Sequence, residues 1–368
     1  MPSTTLTRRE INRATLARQM LLAREKTTAL DAIDRLLAMQ AQWPRPPFIG
    51  LWTRVDGFTR EDLVRLLIKR QVVRATFFRA TIHLMTARTY LALRPTIQPM
   101  LAGAMQTILK ERLDGVDLDA LVARARKHFA KTPCTFEDFR DHLLEADPKA
   151  DERALGYAVR MRLPLVQVPA ADGEAWAFPS QACFTPAEDW LGKSIDLAGP
   201  PKIDDLVRRY LAAYGPASVA DIQAWTGLKI DRAVLDGLRN GLVTFKDESK
   251  RELFDLPDAP RPDADTPAPI RFVPDYDSMI VARADERFVA KPHRPHVFLS
   301  ALRIAATLLV DGFVVGTWTL ETKKKASAVI VKLFATVPER TRKAVAAEGE
   351  QLARFVDPDA TSFECRVS

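Results

Sequence analysis

Two glutamines separated by one alanine, Gln40-Ala41-Gln42, stand just before Trp43-Pro44 at the end of an apolar stretch. A neutral amide strips protons poorly, but its carbonyl can orient a water molecule and set partial negative charge beside a developing cation. Such a pair suits a bond already primed to break. The competing use is structural, because glutamine amides can also satisfy backbone groups orphaned at a broken helix end. Thr28-Ala29-Leu30-Asp31 reads as a capping box, and Leu30, Ile33, Leu36 and Leu37 follow at helical spacing, which sets Gln40 on the apolar face. On a continuing helix, with about 100° between neighbours, Gln40 and Gln42 would diverge by roughly 160°. Pro44 disfavours helical geometry at Trp43, and the extended exit this implies projects residues two apart to the same side. Both amides then face one space.

A chain of 368 residues with 47% hydrophobic content can bury substantial cores and predicts two to four domains. No apolar run approaches about 18 residues, and Met1-Pro2-Ser3-Thr4-Thr5 lacks the apolar core of a signal peptide, so a cytoplasmic protein without a membrane partner is expected. The three cysteines, Cys134, Cys183 and Cys365, lie far apart with no Cys-x-x-Cys, which argues against a disulfide framework or a zinc knuckle. Net charge is +7 with a pI near 9.3, and arginine recurs from Arg8 and Arg9 to Arg70, Arg74, Arg79 and Arg88. That balance points to a polyanionic partner, of which nucleic acid is the usual one.

The elements that must position the glutamines follow a repeated order. A first unit (1–86) has helices around Glu10 to Arg24, from Thr28, and from Thr59-Arg60-Glu61-Asp62, then strands Val72 to Phe78 and Thr81 to Met85. A second unit (87–200) has helices Leu118 to Phe129, one capped by Thr135, and Glu152 to Arg162, with a hairpin of Leu165 to Val168 and Ala175 to Phe178 turning on Asp172-Gly173. The third (201–257) has helices Asp204 to Tyr214, one capped by Ser218, and Asp231 to Arg239, then strands Leu242 to Lys246 and Glu252 to Leu256. Helices leading into a hairpin are the order of a winged helix. The predicted class is therefore α+β, with three tandem winged-helix units. A proline- and aspartate-rich linker (258–269) leads to a β-rich segment (270–368), predicted as a small β-barrel with strands Ile270 to Val273, Met279 to Ala282, Thr307 to Val310, Val314 to Leu320 and Ala328 to Phe334, closed by a helix from Pro338 to Phe355.

Several stretches together resemble a known family. They are Gln40-Ala41-Gln42, Pro46-Pro47, Leu51-Trp52-Thr53-Arg54, Arg79-Ala80-Thr81-Ile82-His83-Leu84, Tyr214-Gly215-Pro216-Ala217, Arg271 to Asp277, and Asp311 to Trp318. Over nearly the whole chain, they resemble the bacterial AlkZ-like winged-helix DNA glycosylases. The resemblance implies three winged helices and a β-barrel around double-stranded DNA, excision of alkylated and interstrand-crosslinked bases, and catalysis by a glutamine-aliphatic-glutamine motif. Gln40 and Gln42 match its glutamines. Where relatives tend to have a histidine followed by Ala-Asp-Arg, this chain has Arg283-Ala284-Asp285-Glu286, a departure that bears on the barrel's contribution through Asp277 and Arg283.

On that footing Arg54, Arg74, Arg79, His83 and the run Lys323-Lys324-Lys325 are candidate DNA contacts, although His83 serves equally as a structural histidine within its wing. No cofactor is called for. Pro292-His293-Arg294-Pro295-His296 offers no helical ligand face, so no metal site is assigned. A winged-helix transcription regulator or a non-catalytic DNA-binding protein is the alternative function. Regulators of that kind usually dimerise on a two-fold site. The absence of a heptad segment favours a monomer.

Overall fold

In the computed structural model, which describes residues 4–146, 149, 151–281, 285–300, 302–323 and 325–368, the chain begins with a short strand, β1 (Thr5–Leu6). Thr7 then caps the helix Arg8–Arg18 in a reciprocal box with Glu10. Thr28 caps a shorter helix, Ala29–Arg35, by accepting from the Asp31 N–H. That helix stops before its apolar spacing does. Leu37 takes φ +66° and the chain runs on extended as β2 (Met39–Gln40). The expected role of Pro44 is thereby corrected, because the exit from the helix precedes it. Pro44 instead stands at the mouth of the helix Arg45–Trp52, where prolines in the first turn forfeit no helical hydrogen bond. The early break is stabilised from outside. The Tyr214 hydroxyl donates to the Leu36 carbonyl at 3.1 Å and the Ser278 hydroxyl to the Ala38 carbonyl at 3.1 Å, so carbonyls freed by the break keep partners.

The box of Thr59 and Asp62 opens the helix Arg60–Ile68 where the sequence placed it. The hairpin β3 (Val72–Thr76) and β4 (Ile82–Thr86) follows, joined by a turn in which Arg79 and Ala80 hold φ of +53° and +57°. Next comes a helix the sequence reading passed over, Ala87–Leu109, with Pro95 and Pro99 inside it. Prolines ordinarily end a helix, which is why the stretch did not read as one.

The second unit keeps its three helices, Leu118–Lys131, Phe136–Ala146 and Glu152–Arg162, but not its expected hairpin. β5 (Leu165–Gln167) pairs with β6 (Phe184–Pro186), while the predicted partner strand falls in a short 3-10 turn, Glu174–Ala177. Trp176 and Ala177 take φ of +57° and +71° there, and the Trp176 ring packs against Phe48 and Phe355 at 5.4 and 5.9 Å. Burying that indole outweighs extending the strand. β5 also pairs with β3, so the first two units share one sheet of order β2-β4-β3-β5-β6.

The third unit has helices Ile203–Tyr214, Val219–Thr226 and Arg232–Leu238, then β7 (Val243–Asp247) and β8 (Glu252–Asp255), with β1 parallel to β7. Residues 258–269 form neither helix nor strand but are strapped down, since Arg9 and Arg13 donate to the carbonyls of Ala264 and Thr266. Beyond them lie β9 (Arg271–Val273), β10 (Thr307–Val310), β11 (Phe313–Lys323), β12 (Ala326–Leu333), the helix Glu339–Val356 and β13 (Ser362–Val367). Two expectations are corrected here. Residues predicted as a strand from Met279 form a helical turn, Ser278–Val281, because Asp277 caps it by accepting from the Met279 N–H at 3.0 Å. The sheet, ordered β13-β12-β11-β10-β9, stays open among the described residues rather than closing into a barrel. Its last strand returns parallel to β12 through the helix, a crossover that covers a face instead of joining the edges.

The first unit feeds two cores. Phe77 and Phe78 pack with Tyr90, Phe129, Tyr210 and Trp225, while Ile33 and Phe48 pack with Phe272, Trp318, Val345 and Leu352. A buried ion pair joins the first helix to the third unit: Arg18 meets Asp255 at 2.7 and 2.8 Å, both fully inside. Removing one member of such a pair strands the other charge in the interior. Asp255→Ala should therefore cost about 3–5 kcal/mol. Urea unfolding followed by tryptophan emission checks this, and an unchanged midpoint refutes it.

Candidate active site

The amide strand is β2 and its continuation. Gln40 lies opposite His83 in the pairing with β4, and the Ala41 N–H extends it by donating to the Ile82 carbonyl at 2.8 Å. The carbonyl of Ala41 accepts from Arg74 Nε and Nη2 at 3.0 and 2.8 Å, the carbonyl of Gln42 from Nη2 at 3.2 Å, and Arg74 also reaches Gln167. One buried guanidinium thus clamps the backbone between the two glutamines. The Gln40 N–H donates to Ser278 Oγ at 3.1 Å from the other side.

Hydrogen-bond chemistry orients both side chains. Arg79 Nη2 lies 2.7 Å from the Gln40 amide, and a guanidinium only donates, so the atom facing it is Oε1. The backbone N–H of Ile82 lies 3.0 Å from the Gln42 amide, which likewise makes that atom Oε1. Both carbonyls are therefore held by the Arg79–Ile82 turn, and neither NH2 group has a protein acceptor among the described residues. Burial lowers the Arg79 pKa to about 10, which leaves it charged at neutral pH. His83 is fully buried. Its Nδ1 lies 3.1 Å from the Thr81 carbonyl, and burial together with the Arg79 charge lowers its pKa to about 3.

Beside Gln40 lies a crevice with room of about 10 Å³, at the lower limit for one water molecule. Its lining includes Pro46, Pro47, Tyr214, Asp275, Asp277 and Ser278. Asp277 is paired with the buried Arg54, whose guanidinium reaches it at 2.9 Å and also bonds the carbonyls of Gly50 and Gln19. Asp275 has no such partner among the described residues, and burial raises its carboxyl to about 6.

A family model described as DNA glycosylase AlkZ-like matches residues 33–355, from the helix before the amide strand to the last helix. The chain belongs to the AlkZ-like DNA glycosylase family. The glycosylase is 26% identical over 377 residues to the interstrand DNA cross-link repair glycosylase of Streptomyces sahachiroi, across 92% of this chain and 94% of that protein. Its fold is similar to the solved structure of the Streptomyces sahachiroi DNA glycosylase AlkZ, with a TM-score of 0.77 at 19% identity, covering 99% of this chain and 100% of that one.

Measured against the residues singled out in the sequence, the candidate site is built differently from a phosphate-binding surface. Arg54, Arg74 and His83 are buried, and Arg79 spends its donors on Gln40 and the Trp225 carbonyl. Arg74 and Arg79 hold the amide segment directly, Arg54 ties the next helix to Asp277, and the His83 ring bonds within its own hairpin. Lys323 and Lys325 are exposed at the tip of the β11–β12 hairpin and do not line the crevice. Arg283 and Lys324 lie outside the described residues. His293 and His296 pack on Phe334 at 4.7 and 5.2 Å, and no group of three or more metal-ligating side chains occurs among the described residues. No helix among them is long and apolar enough to cross a membrane.

Tyr214, Asp275 and Ser278 were not among the candidate site residues, though the spacing of the two aspartates in Pro274-Asp275-Tyr276-Asp277-Ser278 offered a signal. For Asp275 the folded carboxyl binds its proton more tightly than the unfolded one, whose ordinary value is 3.8. Stability is thus unimpaired below about pH 4 and declines as pH rises through about 6. Asp275→Asn should raise the thermal midpoint on the order of 2 °C near pH 8 and change little near pH 4. A calorimetric scan at both pH values checks it, and equal shifts would contradict the assignment.

Proposed function

We propose that the glycosylase hydrolyses the N-glycosidic bond of purines alkylated at N7 or N3 in duplex DNA, with Gln40 and Gln42 as its catalytic pair. The observation that most supports this is the holding of both amides on one clamped strand, with Arg79 and the Ile82 N–H fixing their oxygens. Each carbonyl oxygen retains a second lone pair that can orient water at the anomeric carbon and face the developing oxocarbenium charge. A cationic alkylpurine departs with the bonding electron pair and becomes neutral, so it needs no general acid. An unmodified base is too poor a leaving group for two amides to help. The weakness of the pair is what spares normal DNA.

The name of the Streptomyces relative supports extending the substrates to interstrand-crosslinked bases. A base tied to the opposite strand cannot rotate freely out of the stack, so the site would approach its bond from a groove. In this reading the three helical units, each with its pair of antiparallel strands, act as winged helices around the duplex, and the protein works as a monomer in the cytoplasm. Lys323 and Lys325 contact phosphates. The open C-terminal sheet takes the place of a barrel, and the turn after its first strand braces the amide strand through Ser278 and the following helix through Asp277.

Incubation with duplex containing N7-methylguanine should release free base. Gln40→Ala and Gln42→Ala should each lower the single-turnover rate by about 10²-fold while duplex affinity holds. A wild type that binds DNA yet releases nothing from any alkyl lesion would defeat the proposal. Full activity in both variants would remove the glutamines from the chemistry.

A further inference from the structure

Trp43, the residue after Gln42, is 60% exposed, unlike the other tryptophans. Trp225, Trp318 and Trp176 are buried, while Trp52 and Trp190 lie half-buried under Arg24 and Arg70 at 4.4 and 4.2 Å. Leaving an indole in water forfeits a large apolar burial, and tryptophan is a side chain enriched where proteins contact their ligands and partners.

Its mounting is rigid on both sides. Arg74 clamps the carbonyls of Ala41 and Gln42 ahead of it, and Pro44 restricts φ behind it as the helix Arg45–Trp52 begins. The side chain is therefore presented from fixed backbone next to the amide pair. A flat π-face attracts a cation placed over it, and indole does so best among the side chains. Any nucleobase stacks on such a face, but only an alkylated purine adds a positive charge.

We infer that the indole of Trp43 stacks on the cationic alkylated base and reads its charge, so that damage is recognised one residue beyond the amides. This rests on the proposal that Gln40 and Gln42 act on the glycosidic bond. It adds a selection by binding to the selection by leaving group.

The test uses a duplex carrying 2′-fluoro-N7-methyl-2′-deoxyguanosine, which resists cleavage, and a matched duplex with 2′-fluoro-2′-deoxyguanosine. Emission of the whole protein is compared with that of Trp43→Phe, so that the difference reports Trp43. The lesion duplex should quench that difference signal. Preference for the lesion over the matched duplex should fall about 2- to 30-fold in Trp43→Ala and less in Trp43→Phe. An unquenched Trp43 at saturating lesion duplex, or a Trp43→Ala protein that prefers the lesion as wild type does, overturns the inference. Gln42→Ala should keep the quench while losing excision. Excision surviving in Gln40→Ala and Gln42→Ala would instead sink the catalytic reading of the amides, an outcome the emission measurement does not share.

Discussion

The run of Met39 to Gln42 along the hairpin of β3 and β4 is the interaction on which the rest of the site depends. It exists because the preceding helix ends at Arg35 and the chain turns at Leu37 instead of carrying the apolar stripe forward. Had the helix continued, Gln40 and Gln42 would point to different sides and the hairpin edge would be left unpaired. Residues from distant parts of the chain hold the break in place. Tyr214 comes from the third unit, Ser278 from the C-terminal segment, and Arg74 from the hairpin itself. The Arg54–Asp277 pair then ties the helix after the amides to the same C-terminal turn.

This explains why the glycosylase carries buried arginines beside uncharged amides. A carboxylate at position 40 would pair with Arg79 and be held there as an ion, with its oxygens committed. A glutamine satisfies the same guanidinium through one oxygen and keeps its NH2 group and a lone pair available. The positive charge also draws electron density from the amide, which strengthens its NH2 as a donor.

Much of the frame was legible in the sequence. Capping boxes at Thr59 and Ser218 lie where their residue types placed them. The failures share a cause, because each was decided by tertiary packing. Pro95 and Pro99 hid a helix that its neighbours sustain, and Trp176 diverted a strand to reach Phe48 and Phe355. The crossover helix kept the last sheet open, a choice invisible in strand patterning alone. Arginines counted toward an outward basic surface turned out, at positions 54 and 74, to be interior braces. Composition records charge but not where it is buried. The glutamine pair was visible from the start, whereas its partners Arg79, Tyr214 and Ser278 became neighbours only through folding.

Under the role proposed for Gln40 and Gln42, the positions of the two amides, and not merely their presence, carry the reaction. Shortening each side chain by one methylene, as Gln40→Asn and Gln42→Asn, keeps the amide and moves it by about 1 Å. Single-turnover excision of N7-methylguanine from duplex, measured beside duplex affinity, tests the claim most directly. A rate loss of about 10²-fold with affinity unchanged is expected. Wild-type rates in both asparagine variants would contradict it.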